Sequence, residues 1–363
     1  MKKTKTLLLL AVITAVMASC APTGKLSTEK PANVRNIILM IGDGMGLAQV
    51  YAAMSVSELP LNIERCTVTG LQKNYSSDNY VTDSGASGTA IATGTKTYNG
   101  AVGVDAKGNR VRSILEIAEA NNRSTGLIST SSLAHATPAS FIAHQSSRAS
   151  YENIAMDFVK TDVDVLIGGG YDHFANRADK LNLLDTLRAR NYEVVNSMDQ
   201  VLRSRSDKLA GLTAPEHHPY RLNGRGNMLP ASTGKAIEIL GRNNAGFFLM
   251  VEGSQIDWAG HGNAADTLID ETLDFDQAVG VALDFAEKDG NTLVIVTGDH
   301  ETGGVTLIKG DLKSKTVGLH FSTTGHTGAM IPVYAYGPGA ENFTGIYENT
   351  DIFKKMLEAF GFK

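Results

Sequence analysis

Two cysteines in 363 residues, Cys20 and Cys66, cannot build a disulfide framework. Stability must come from a buried core, which a chain of this length can supply. Basic residues are fewer than acidic ones, 33 against 38, for a formal charge of −5. With no lysine/arginine block long enough to follow a phosphate backbone, nucleic acid is not expected as a partner. Long hydrophobic runs are also missing: the longest, Leu7–Met17, is too short to span a bilayer. A content of 42% hydrophobic and 20% charged residues excludes a disordered, collagen-like or polytopic membrane chain. Glycine is the excess, with 37 residues, about 10% against a usual 7% or so.

The N-terminus carries Lys2, Lys3 and Lys5, then the apolar run, then Ala18-Ser19-Cys20, the layout of an export signal. Cys20 after Ala18-Ser19 resembles a bacterial lipoprotein lipobox, with Met17 where leucine is usual; cleavage after Ala21 is the alternative, disfavoured by Pro22. The expectation is a signal over residues 1–19 and a polar, proline-containing tether over 20–33. It places the protein in the periplasm or cell envelope, anchored to the membrane through lipid at Cys20. Cys66 would then be a lone buried thiol.

From residue 34 onward short apolar runs alternate with helical patterns. Strands are expected at Asn36–Ile41, Val163–Ile167, Phe247–Val251, Thr292–Thr297 and Ile331–Tyr336, and helices at Arg112–Asn121, Tyr151–Thr161, Lys180–Arg190 and Asp266–Lys288. Near-continuous Val/Ile/Leu strands are buried on both faces. The expected class is therefore α/β, a three-layer sandwich with a mostly parallel central sheet and helices on both faces, in one domain over residues 34–363. Residues 196–230, with His217-His218-Pro219 and Gly224-Arg225-Gly226, read as an irregular insertion or substrate-side loop.

Ligands of open α/β sheets bind beyond the carboxyl ends of the strands. The residues that follow the strong strands are Gly42-Asp43-Gly44, Glu252-Gly253-Ser254 and Gly298-Asp299-His300. One acid there is often a helix cap; three glycine-flanked acids with nearby histidines point to metal. Asp257 and His261, four apart in Glu252-Gly253-Ser254-Gln255-Ile256-Asp257-Trp258-Ala259-Gly260-His261, share a helical face. Imidazole with carboxylate suits Zn²⁺. His326 lies in a glycine-rich loop. Ser84, in Asp83-Ser84-Gly85-Ala86-Ser87-Gly88-Thr89-Ala90, stands at a helix start, either as a cap or as a nucleophile beside a site that favours anions. Gly42-Asp43-Gly44-Met45-Gly46 fails as a dinucleotide fingerprint, because Leu47 replaces the third glycine.

These motifs, together with His135-Ala136-Thr137-Pro138-Ala139, Asp299-His300-Glu301 and His326-Thr327-Gly328, resemble those of the bacterial alkaline phosphatase family and occur in its order from about Asn36 to the C-terminus. The resemblance implies hydrolysis of phosphate monoesters through a phosphoserine at a centre of two Zn²⁺ and one Mg²⁺. It implies that Asp257, His261 and His326 hold one zinc, that Asp43, Asp299 and His300 hold the second with Ser84 as nucleophile, and that Thr137 and Glu252 hold magnesium with Asp43 as a bridge. Arg148 would bind phosphate and Asp83 would orient it. His135 and Trp258 occupy positions beside the metals that vary within the family; whether His135 binds metal stays open. Family members are often homodimers, and the sequence leaves the oligomeric state open. His144, His173, His217, His218 and His320 match no core motif and are expected in loops or ordinary polar contacts. The rival readings are a phosphodiesterase, phosphonate or sulfate hydrolase of the same superfamily, and a non-catalytic metal- or phosphate-binding surface lipoprotein.

Overall fold

The computed structural model describes residues 34–362; the expected signal, Cys20 and the tether lie outside the described residues. In chain order the strands are β1 (Asn36–Gly42), β2 (Val68–Lys73), β3 (Ser124–Ser132), β4 (Val165–Gly169), β5 (Glu193–Val195), β6 (Leu209–Ala214), β7 (Phe247–Gly253), β8 (Thr292–Gly298), β9 (Glu301–Thr302), β10 (Val305–Asp311), β11 (Thr316–Phe321), β12 (His326–Thr327), β13 (Ile331–Tyr336) and β14 (Gly345–Glu348). Ten of them form one sheet in the order β14-β2-β13-β8-β1-β7-β3-β4-β6-β5. Every pairing in it is parallel except the two made by β13.

The central strands alternate side chains between two cores, as period-two geometry requires. On β1, Ile37, Leu39 and Ile41 enter one core while Ile38 and Met40 enter the other. The first core is closed by helices Ser84–Thr93, Ile114–Ala120, Tyr151–Phe158 and Asn349–Phe360; the second by Leu47–Val56, Met228–Leu240 and Ala265–Asp289. The result is the expected three-layer α/β/α sandwich. Local signals set the helix ends where the chain must turn. Ser113 and Glu116 form a reciprocal capping box at the start of Ile114–Ala120, with Glu116 N donating to Ser113 Oγ at 3.2 Å and Ser113 N to Glu116 Oε2 at 2.9 Å.

All five expected strands are present, most of them one or two residues longer at the glycine end. The irregular reading of residues 196–230 is overturned at both ends of the stretch, which hold the helix Met198–Arg203, the sheet strand β6 and the first turn of Met228–Leu240. Residues 215–227 between them are a loop with one short turn, Arg221–Asn223, as expected. β6, Leu-Ala-Gly-Leu-Thr-Ala, is rich in small residues because helix and sheet close tightly on it; a Cβ on Gly211 would stand 2.6 Å from Val201. Pro230 sits in the first turn of its helix, where its missing N–H costs nothing. Cys66 is half-buried rather than buried, with burial pushing its thiol up to about 12. No helix among the described residues is long and apolar enough to cross a membrane.

Candidate metal centre and active site

The four adjacent strands β8, β1, β7 and β3 point their carboxyl ends the same way. Parallel register sets Gly42 level with both Gly253 and Gly298. Asp43, Glu252 and Asp299 are therefore brought side by side, with His135 and Thr137 just beyond β3. Glycine makes the closest approach possible at Gly44, whose φ is +72° and where a Cβ would lie 2.7 Å from Asp257 Cα. Its N–H donates to Asp299 Oδ1 at 3.1 Å.

Three sets of side chains bring their ligand atoms within 4.8 Å of one another: Asp257, His261 and His326; Asp43, Asp299 and His300; and Asp43, His135 and Glu252. In the first set, Asp257 and His261 lie one turn apart on the helix Gln255–His261, and His326 arrives on β12. His261 Nδ1 faces the Thr324 carbonyl at 2.5 Å and His326 Nδ1 that of Thr82 at 2.8 Å. Such partners fix the ring tautomers and turn the Nε2 lone pairs inward. The two Nε2 atoms lie 3.1 Å apart, and 3.4 and 3.5 Å from Asp257 Oδ1. In the second set His300 Nε2 lies 3.4 Å from both Asp43 Oδ1 and Asp299 Oδ2, and 3.2 Å from Ser84 Oγ.

Both carboxylate oxygens of Asp43, Asp299 Oδ2, Glu252 Oε1 and Thr137 Oγ1 are buried with no hydrogen-bond partner among the described residues. Orphaned buried acceptors are costly and rare; their convergence is what divalent cations would satisfy. The electrostatics agree. Burial, then repulsion from Asp299, Asp257 and Glu252, drives Asp43 well above the usual carboxylate range. Burial likewise pushes Asp299 up to about 6 and Glu252 up to about 7. Asp257 alone is held well below: burial opposes ionisation, but the His261 and His326 imidazoles beside it outweigh that cost. Four acids packed this closely need positive charge among them.

Ser84 opens the fully buried helix Ser84–Thr93, and the cap is Asp83, whose Oδ1 accepts from Ala86 N at 2.9 Å. The serine is thus the first helical residue, and its hydroxyl faces His300 instead of the backbone. Asp83 Oδ2 accepts from Gly100 N at 3.0 Å and from Arg148 Nη1 at 2.9 Å. The other guanidinium arm, Nη2, donates to His135 Nε2 at 3.2 Å. Burial, helped by Arg148, lowers His135 to about 3, so the ring is neutral and can accept this bond. The candidate metal, nucleophile and phosphate-binding residues named from sequence thus fall in one constellation, with Trp258 packed edge-on to His135.

Four of the five histidines set aside make ordinary contacts or none: His144 with the Gly103 carbonyl, His173 with Glu216, His218 with Thr213, and His320 exposed on β11. His217 is the exception. It packs against both His135 and Trp258, and only its place in the His217-His218-Pro219 run hinted at it. Ser129 and Thr302, which hold Glu252 and Asp257 from behind, had no signal in the sequence.

The alkaline phosphatase family profile matches residues 34–320 and 312–362. The chain belongs to the alkaline phosphatase family. Alkaline phosphatase 4 of Bacillus subtilis (strain 168) is 36% identical over 93% of this chain and 92% of its own length. The solved alkaline phosphatase of the Antarctic bacterium TAB5 superposes with a TM-score of 0.87 at 46% identity, covering 91% of this chain and 99% of that one. A mutant form of the TAB5 enzyme, at 44% identity, TM-score 0.87 and covering 92% and 100%, contains bound Mg. The chain is accordingly a metal-dependent phosphoric monoester hydrolase.

Proposed function

We propose that phosphate monoesters are hydrolysed through a phosphoserine on Ser84 at a centre of two Zn²⁺ and one Mg²⁺. Asp257, His261 and His326 would hold one zinc and Asp43, Asp299 and His300 the other, each set combining imidazole with carboxylate. Asp43, Glu252 and Thr137 offer the hard oxygens magnesium prefers; His135, whose Nε2 accepts from Arg148, carries its proton on Nδ1 and lies beside this set without serving as its ligand. When bound, the cations supply Lewis-acid stabilisation of phosphoryl oxygens and lower the pKa of water.

The residues supply the rest. Ser84 Oγ bonds to phosphorus as the bond to the leaving oxygen breaks and the alcohol departs. Water then attacks phosphorus, and Ser84 Oγ leaves with its electron pair as inorganic phosphate is released. Arg148, anchored by Asp83 on one arm and His135 on the other, presents a planar fork to two phosphoryl oxygens. The N-terminus of helix Ser84–Thr93 adds its dipole. That much positive charge favours a dianionic monoester over a diester.

The observation that carries this reading is Ser84 Oγ at 3.2 Å from His300 Nε2, beside the orphaned acceptors. Acid quenching during turnover of a ³²P-labelled monoester should leave label on the wild type and none on Ser84→Ala. Turnover should drop on the order of 10⁶-fold, as when a covalent nucleophile is lost; label or turnover retained by Ser84→Ala would overturn the assignment. The proposal extends to export of the catalytic domain, residues 34–363, by the signal over residues 1–19 with lipid at Cys20; palmitate labelling that survives Cys20→Ala would remove the anchor.

A further inference from the structure

The segment around His217 and Arg225 has no part in the chemistry above, yet it is anchored at both residues. His217 Nδ1 accepts from Ser132 N at 3.0 Å, at the end of β3. Its ring meets Trp258 edge-on with centroids 4.7 Å apart and His135 at 5.7 Å; Trp258 and His135 are themselves 5.9 Å apart. Three rings are thus mutually perpendicular, an arrangement the aromatic quadrupole favours.

Behind them sits a buried clamp. The Arg225 side chain is 0% exposed and binds Glu271 Oε2 at 2.5 Å and Asp274 Oδ2 at 2.8 Å, both on the helix Ala265–Asp289. Its Nη1 also donates to Gln255 Oε1 at 3.0 Å and to the Pro219 carbonyl at 3.2 Å. Gln255 Nε2 in turn donates to the His218 carbonyl at 2.6 Å and to that of Thr130 at 3.2 Å. A buried ion cluster adds little stability over apolar packing. What this one fixes is position: it ties the His217 loop to the helix Gln255–His261, which carries Asp257, Trp258 and His261.

The consequence reaches Arg148. His135 meets Arg148 Nη2 through its Nε2 and packs edge-on against both the His217 and the Trp258 rings. His217 thus touches the same ring that holds one arm of the Arg148 fork, while Asp83 holds the other.

We propose that His217 is a positioning residue of the phosphate pocket. It braces Trp258 and His135, and through His135 it fixes Arg148, so that it governs how tightly substrate and product phosphate are held. This rests on Arg148 binding phosphate.

The test is competitive inhibition by inorganic phosphate, with KM and kcat, in the metal-loaded enzyme. For His217→Ala, Ki and KM should rise together by about three- to tenfold, the range of an edge-on aromatic pair, with no fall in kcat. In an Arg148→Ala background the same change should leave Ki unmoved. The proposal fails if His217→Ala leaves Ki unchanged, if it lowers kcat alone, or if its effect on Ki persists without Arg148. Should His217→Ala not fold, His217→Asn, which keeps an acceptor for Ser132 N and loses the ring, is read in its place. Its Ki is expected to rise over the same range, and an unchanged Ki would overturn the proposal equally. An unchanged Ki in Arg148→Ala alone would instead overturn the reading of Arg148, a result visible in that single variant.

Discussion

Ser129 Oγ donates to Glu252 Oε2 at 2.6 Å, across the register pairing that sets Ser129 beside Glu252 on neighbouring strands. Ser129 is itself held by the hydroxyls of Ser131 and Ser254, each at 2.8 Å. The bond occupies one oxygen of Glu252 and leaves Oε1 aimed at the third ligand set with no other partner. Partners behind a ligand typically change metal affinity about 10–100-fold when removed. Ser129→Ala should therefore weaken Mg²⁺ binding to that extent in calorimetric titration of the zinc-loaded protein, while zinc content is unchanged. Equal Mg²⁺ affinity in the two proteins would show that Glu252 needs no support from the serines.

Metal removal gives a second expectation. Asp43, Asp299 and Glu252 are buried and pushed up by burial and by one another, so stripping the cations leaves acids that repel. Chelation should abolish monoester hydrolysis and lower Tm together. Zn²⁺ with Mg²⁺ should restore both; full recovery with Mg²⁺ alone would contradict the zinc assignments for the two histidine-containing sets.

Much of the site was legible because its residues sit in local, strongly typed settings. Asp43 and Asp299 directly follow strands of Ile/Val/Leu, and Asp257 and His261 share one helical turn. What stayed hidden depends on contacts far apart in sequence. Nothing near Ser129 or Thr302 announces that each meets a carboxylate 123 or 45 positions away. His217 gains its meaning from Ser132 and Trp258, which a loop of polar residues does not reveal. Strand β2, with only Gly70 and Gln72 buried, and the three-residue β5 lack the apolar runs that expose β1, β7 and β8. β6 was missed for its small residues.

Thr302 links the two zinc-type ligand sets. Its hydroxyl donates to Asp257 Oδ1, and its oxygen lies 3.3 Å from His300 Nδ1. With the hydroxyl proton directed at Asp257, the oxygen accepts from Nδ1–H, which leaves the His300 Nε2 lone pair toward Asp43, Asp299 and Ser84. Thr302→Val keeps the shape but strips Asp257 and His300 of this partner together. It should lose zinc about 10–100-fold more readily to a competing chelator, with turnover falling as zinc is lost. Thr302→Ser, which restores the oxygen, should recover most of both. A valine variant with wild-type zinc retention would show that the tautomer is set elsewhere.

Far from the metals, Glu119 carries a pH dependence of its own. It lies half-buried on the helix Ile114–Ala120, accepting from Thr125 Oγ1 at 3.1 Å. Burial, with Asp162 and Asp164 nearby, raises it from 4.5 to about 7, against the opposing pull of the Thr125 bond. Below pH 4.5 it is protonated whether the chain is folded or not, and it costs nothing. Between pH 4.5 and about 7 the unfolded chain ionises first, so the unfolded state binds fewer protons and stability falls as pH rises. Above about 7 the folded carboxylate is ionised too, and the full loss persists through the alkaline range. Glu119→Gln keeps an acceptor for Thr125 but never ionises. Its Tm should exceed that of the wild type by a few degrees at pH 9, and the gap should narrow steadily toward pH 5. Comparing the two proteins at each pH cancels the shared effect of metal loss in acid. A gap that is constant with pH would mean Glu119 does not ionise differently on folding.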